Sequence, residues 1–191
     1  MKKFFLTLFA FLLAHSSFGE DYLNAWYALA QGKDSEKLIS WMRNEAECIL
    51  AQEPEKRARC PVELPPFYGR LGIFVTFMRK GKNRGCFGSF YHASSNAEDV
   101  IRAYILGALR NDHRSIPLSQ NELDDTEIAL TVAAQPFPAP SLESVDISSY
   151  GVMVNSEMVF VPAEIKTHER LRYLCKGTIE SVYAFKALTI K

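Results

Sequence analysis

Arg84-Gly85-Cys86-Phe87-Gly88-Ser89-Phe90 brings a guanidinium, a thiol, a hydroxyl and two glycines into seven residues. If the segment is extended, the period of two points Arg84 and Cys86 to the same face. A guanidinium beside a thiol lowers its pKa and favours the nucleophilic thiolate. Gly85 and Gly88 have no side chain, so a ligand or another backbone can come close. Asp112, His113 and Arg114 follow a nearby helix and add a carboxylate, a group that titrates near neutrality and a second guanidinium. Two chemistries fit these residue types. In one, Cys86 attacks as a thiolate, Arg84 stabilises developing negative charge, and Asp112 or His113 moves protons. In the other no bond is made, and Arg84, Gly85, Gly88, Ser89, Asp112 and Arg114 line a cleft for a small anionic or peptide-like ligand. A structural account is open too, with Cys86 a small buried strand residue and the glycines marking a bulge.

The surrounding pattern predicts the elements that must hold these groups. Asp21 to Gly32 and Asp34 to Gln52 read as helices, the second with Leu38, Met42, Ala46 and Ile49 or Leu50 on one stripe and Asp34 or Ser35 as cap. Glu53 to Pro66 is a charged, proline-punctuated connection. Gly72 to Met78 and Arg84 to Tyr91 are β-rich and joined as a hairpin. Ser95-Asn96-Ala97-Glu98 has capping-box spacing and opens a helix through Leu109, with Ile101, Ile105 and Ala108 or Leu109 inward. Thr126 to Ala134 reads as a strand. Gln135 to Pro140 reads as a loop, because its prolines lack the ladder donor. Short strands are expected near Val145 to Ile147, Gly151 to Val154 and Met158 to Val161. A helix capped by Thr167 and a last strand, Ile179 to Leu188, complete an α+β domain with a mainly antiparallel sheet flanked by helices.

Met1-Lys2-Lys3, the uncharged run Phe4 to Ala14 and the small residues Ser17 and Gly19 follow the order of a cleavable export signal over residues 1–19. The run is far shorter than the roughly 20 apolar residues of a membrane span. This predicts an exported, periplasmic or secreted, protein with no stable membrane anchor after cleavage. Without Lys2 and Lys3, the 22 basic and 22 acidic residues leave a formal charge of minus two. That balance, with no basic run beyond Arg79-Lys80-Gly81-Lys82, disfavours a nucleic-acid partner. Outside the cytoplasm, Cys48 and Cys60 are expected to pair as a disulfide that pins the connection. Cys175 reads as core filling. His92, His113 and His168 are scattered, no zinc spacing occurs, and no phosphate loop or dinucleotide fingerprint is present, so neither metal nor cofactor is expected.

Phe74-Val75-Thr76-Phe77, a hairpin and then Arg84 to Phe90 resemble the signature of the AMMECR domain family, in which a Phe-Val-Thr-aromatic strand precedes Arg-Gly-Cys-Ile-Gly-Thr. Asp112 to Leu118 resembles its Asp-Pro-Arg-Phe-x-Pro-Leu stretch. Glu122-Leu123 with Glu127 to Val132, Val161-Pro162 and Cys175-Lys176-Gly177 match further segments in order. The resemblance implies a larger and a smaller part with a cleft lined by the Arg-Gly-Cys motif, here over residues 67–191 after a helical segment at 20–66. It also implies cytoplasmic Memo-type and radical-SAM partners, from which an export signal would separate this chain. Two departures matter. Ser148-Ser149-Tyr150-Gly151 stands where the family has Gly-x-His-Gly, which removes a general base or metal ligand. His113 and Ser115 replace Pro and Phe of the Asp-Pro-Arg-Phe stretch.

Overall fold

The computed structural model of the chain describes residues 22–175 and 177–191, so the expected export signal lies outside the described residues. Helix α1 spans residues 22–31 and α2 spans Asp34–Ala51. Leu38, Met42, Ala46 and Ile49 are all buried on α2, as their spacing predicts. The cap differs from expectation. The N-cap is Lys33 without a side-chain bond, and Ser35 Oγ instead donates 2.7 Å back to the Gly32 carbonyl, tying the turn between the helices.

Residues 53–66 are held by polar contacts. Cys48 and Cys60 are both free thiols, which corrects the expected disulfide. Cys48 lies on α2 near Asn121 and Leu123, whereas the Cys60 amide donates 3.2 Å to Glu98 at the start of the next long helix. The connection is fixed by Trp41 Nε1 and Arg102 Nη2, which both donate to the Ala58 carbonyl, and by the fully buried Glu45, which pairs with Arg102 and Arg57.

Strands β1 (Leu71–Arg79) and β2 (Lys82–Ser89) form the expected hairpin, with Lys80 and Gly81 at positive φ in its turn. Helix α3 (Ala97–Arg110) packs on this hairpin with Ile101, Ile105, Ala108 and Leu109 buried. Its cap is Asn96, whose side chain accepts from the Asp99 amide, one residue later than the expected Ser95. A short turn of helix, α4 (Gln120–Leu123), carries a Ser119–Glu122 capping box and leads into β3 (Thr126–Ala134).

The proline-rich segment forms a strand, β4 (Phe137–Ala139), paired with the last strand, β7 (Val182–Ile190), and this corrects the expected loop. Pro136, Pro138 and Pro140 alternate with Phe137 and Ala139. Alternate residues of an extended strand send their N–H groups to the same side. The strand can therefore offer Phe137 and Ala139 to β7 while the proline nitrogens face away, the arrangement an edge strand tolerates. From Leu130 to Phe137 the chain advances seven residues, while their partners Ile190 and Ala184 are six apart. β4 thus continues β3 past one extra residue.

Beyond it come β5 (Tyr150–Val154), β6 (Met158–Phe160) and α5 (His168–Leu174), capped by Thr167 as expected. Residues 145–147 form no strand. Val145 closes a turn onto the Leu142 carbonyl, and Asp146 accepts from the Ser148 amide and hydroxyl.

The antiparallel sheet runs β2-β1-β3-β7-β5-β6. β7 joins its two parts, since Ala187–Ile190 pair with β3 and Val182–Lys186 with β5. The larger part has its core between α1, α2, α3 and the β1/β3 face, built on Trp26, Met42, Phe77 and Ile105. The smaller gathers Val152, Phe160, Ile165 and Leu171. Between them lies a third cluster of Phe74, Cys86, Phe90, Ala133, Val161 and Phe185. This seam brings Cys86 against the end of β6.

Candidate functional site

The hairpin does not place Arg84 beside Cys86. Phe77 faces Gly85 but Met78 faces Asn83, so Arg84 is the extra residue of a β-bulge, and a bulge re-aims its side chain. Arg84 turns to the segment before β3. Its Nε and Nη2 each lie 2.9 Å from a Glu122 carboxylate oxygen, and Nη1 donates 2.6 Å to the Ile116 carbonyl. This fork, helped by the Ser119 amide, holds the Glu122 carboxyl down at about 2. Arg84 is a strut that fixes the loop between α3 and β3.

Gly85 and Gly88 are already covered by protein. A Cβ on Gly85 would meet the Ala108 carbonyl oxygen of α3 at 2.1 Å, and one on Gly88 would meet the Ile73 oxygen at 2.3 Å. Their bareness lets α3 and β1 approach β2. Ser89 Oγ accepts from the Tyr91 amide. Of the expected ligand-lining loop, Arg84, Gly85 and Gly88 serve packing.

Cys86 lies buried at the seam, with Thr76 Oγ1 donating to its sulfur at 3.3 Å. Burial pushes its thiol well above the ordinary value, and the nearby Glu164 carboxylate pushes it further. This reverses the lowered pKa expected from a neighbouring Arg84. The Cys86 amide donates 2.8 Å to Asp112 Oδ2. That bond fixes the loop after α3 to the strand.

Asp112 organises the rest. Its side chain is 3 % exposed and accepts from the Arg114 amide and Nε at 3.0 Å and from Arg114 Nη2 at 3.1 Å. Burial raises the Asp112 carboxyl, but these bonds outweigh it and hold it below the usual range. Arg114 Nη2 also reaches Glu164 Oε1 at 3.1 Å, and Asn83 Nδ2 donates to the same oxygen. Glu164 Oε2 accepts from the Val161 amide at 3.3 Å. Burial raises the Glu164 carboxyl above its ordinary value, against the pull of Arg114. Two carboxylates therefore share one guanidinium across the seam.

The structure gathers Cys86, Asp112 and Arg114 from the expected set and adds Asn83, Thr76 and Glu164. Glu164 carried no signal of its own, although its neighbours Val161-Pro162 stood out. His113 is exposed beside the cluster, while Tyr150 stacks edge-on against Phe137 at 6.0 Å. His92 bridges the Tyr104 hydroxyl and the Leu71 carbonyl at 2.8 Å each, in the larger part. Two cavities of about 470 Å³ lie elsewhere, one between residues 138–143 and 179–183 and one between α2 and α4. Among the described residues no group of three or more His, Cys, Asp and Glu is arranged for a metal ion, and no helix is long and apolar enough to cross a membrane.

Comparison with known proteins gives this geometry a family. A protein of Thermotoga maritima is 34% identical over 103 residues, covering 53% of this chain and 57% of its own length. Protein Mbar_A1807 of Methanosarcina barkeri is 31% identical over 132 residues, covering 65% and 63%. The chain thus spans about half to two thirds of the length of these curated relatives. The crystal structure of PH0010 from Pyrococcus horikoshii superposes with a TM-score of 0.62 at 18% identity, covering 83% of this chain and 91% of that one, which shows the shared fold. The AMMECR1 family model matches residues 39–186, a span that contains the hairpin, the Asp112–Arg114 loop and Glu164, and the chain belongs to that family.

Proposed function

We propose that this protein is an exported binding module whose seam receives a small anionic or peptide-like ligand at Arg114. One observation carries the reading. Asp112 holds the Arg114 guanidinium flat through Nε and Nη2, the side chain is 32 % exposed, and Nη1 has no hydrogen-bond partner among the described residues. A planar fork fixed along one edge by Asp112, with Nη2 also on Glu164 and Nη1 unbonded, presents one free donor to a carboxylate oxygen. Cys86 supports the same side of the choice between binding and thiol chemistry, because a buried thiol beside a carboxylate stays protonated at neutral pH. The lysines and uncharged run of residues 1–19 support export.

The test uses the chain recovered from its source, whose intact mass shows whether it begins at Glu20, titrated with acetate and succinate while the Arg114 Nε resonance is followed by NMR. A saturable shift is expected, weakened about tenfold in Arg114→Lys, which keeps the charge but loses the fork. A native chain and an R114K variant that respond alike would remove Arg114 from the site and the reading with it.

A further inference from the structure

At the seam three donors from separate parts of the chain converge on one buried carboxylate. Asn83 comes from the start of β2, Arg114 from the loop after α3, and the Val161 amide from the residue after β6; all three bond Glu164, whose side chain is 2 % exposed. The buried Cys86 sulfur lies beside this carboxylate and accepts from Thr76 Oγ1 at 3.3 Å. Such a set is what a protein builds around a bound carboxylate: a guanidinium edge, a side-chain amide and a backbone N–H.

Charge decides how an outside anion could use it. Asp112 and Glu164 already share Arg114, so a third carboxylate cannot simply be added in a buried site without unpaired charge, which is costly. It can be exchanged. Glu164 sits in the turn between β6 and α5, outside any ladder, and its amide bonds only the Val161 carbonyl at 2.9 Å. Rotating its side chain to solvent breaks no strand pairing. The next residue, Ile165, stays anchored in the smaller core. Arg114 lies at the surface side of the cluster, where an incoming group would arrive.

We propose that Asn83, Arg114 and the Val161 amide form a carboxylate seat that Glu164 fills from within the chain, and that a carboxylate-bearing ligand binds by taking its place. This rests on the reading of the seam as an anion-binding site and names the ligand's chemical class and its built-in competitor.

Glu164→Ala empties the seat without touching its donors. Acetate and formate should bind E164A at least about tenfold more tightly than the native chain. They should raise its unfolding midpoint by about 3 °C near saturation. The Val161 amide and Asn83 side-chain resonances should move, and chloride at equal ionic strength should do none of this. An E164A protein that treats acetate and chloride alike overturns the seat. Equal acetate affinity in E164A and native protein overturns the displacement while leaving an anion-binding module standing. Uptake by E164A with no carboxylate ever binding the native chain overturns the displacement and the module reading together, leaving only the vacated donors as an anion site. If E164A does not fold, Glu164→Gln and the native chain carry the test. In an acetate titration of the native chain carried to about 1 M at constant ionic strength, the Val161 and Asn83 resonances must shift, and signals that move no more than in chloride overturn the proposal.

Discussion

Replacing Gly85 with alanine is expected to lower the thermal unfolding midpoint by about 6–12 °C, read by circular dichroism. The new Cβ would lie 2.1 Å from the Ala108 carbonyl oxygen. No rotamer can relieve a Cβ, and the atom it meets is helix backbone, so β2 or α3 must move by about 1 Å. Overpacking of this kind costs about 3 kcal/mol or more, and each kcal/mol is worth roughly 2–4 °C in a chain of this size. Gly32→Ala is the control. Its nearest contact would be 3.4 Å, ordinary packing, and the midpoint should change by less than about 3 °C. A G85A variant as stable as the G32A control would mean that the glycine is kept for something other than the approach of α3.

Asp112→Ala should be comparably severe, for an electrostatic reason. Asp112 is the acceptor for Cys86 N and for three Arg114 donors. Removing it leaves a buried Cys86 amide unpaired and lets Arg114 lean wholly on Glu164. Leaving the buried Cys86 amide unpaired and losing the charge-assisted bonds from a partly exposed Arg114 costs about 3 kcal/mol. Asp112→Asn keeps the shape and one carbonyl acceptor and should cost roughly half as much. Denaturant unfolding at neutral pH separates the two. If D112A and D112N lose the same small amount, Asp112 does not organise the seam.

Much of the frame was legible because it follows periodicity. The stripe Leu38, Met42, Ala46 and Ile49 and the face Ile101, Ile105 and Leu109 are burial patterns that local sequence carries. The Arg-Gly-Cys loop was legible as a place, but its chemistry was misread at one point. The period-of-two argument assumes an unbroken strand, and the bulge at Arg84 breaks it, so the guanidinium that should have activated Cys86 serves Glu122 instead. The Pro136 to Pro140 run misled for a related reason. Proline excludes a strand with two paired edges, whereas β4 has only β7 to satisfy. Cys48 and Cys60 are close in sequence and yet both are free thiols, because nearness along the chain does not by itself bring two sulfurs within bonding reach.

Glu164 and Asn83 were invisible for a different reason. Each is an ordinary polar residue in a turn or at a strand start, and they meet only because β7 folds the smaller part back onto the hairpin, 81 residues apart in the chain. Long-range contact of this kind leaves no local pattern. The same topology makes the site a seam, which is why the expected cleft residues divide into those that pack the larger part, Arg84, Gly85 and Gly88, and those that face its neighbour, Cys86, Asp112 and Arg114.

At the seam a buried, protonated Cys86 thiol sits beside the Arg114 guanidinium and its two carboxylates. That state is tested most directly by alkylating the folded native chain with iodoacetamide from pH 6 to 9 and mapping each cysteine by mass. Half-buried Cys60 serves as the internal reference, since Cys48, Cys86 and Cys175 are buried. Cys60 should be modified first, and Cys86 should stay protected until the protein is unfolded. Modification of Cys86 below pH 8, faster than Cys60, would contradict this and restore the thiol as the group that does the chemistry.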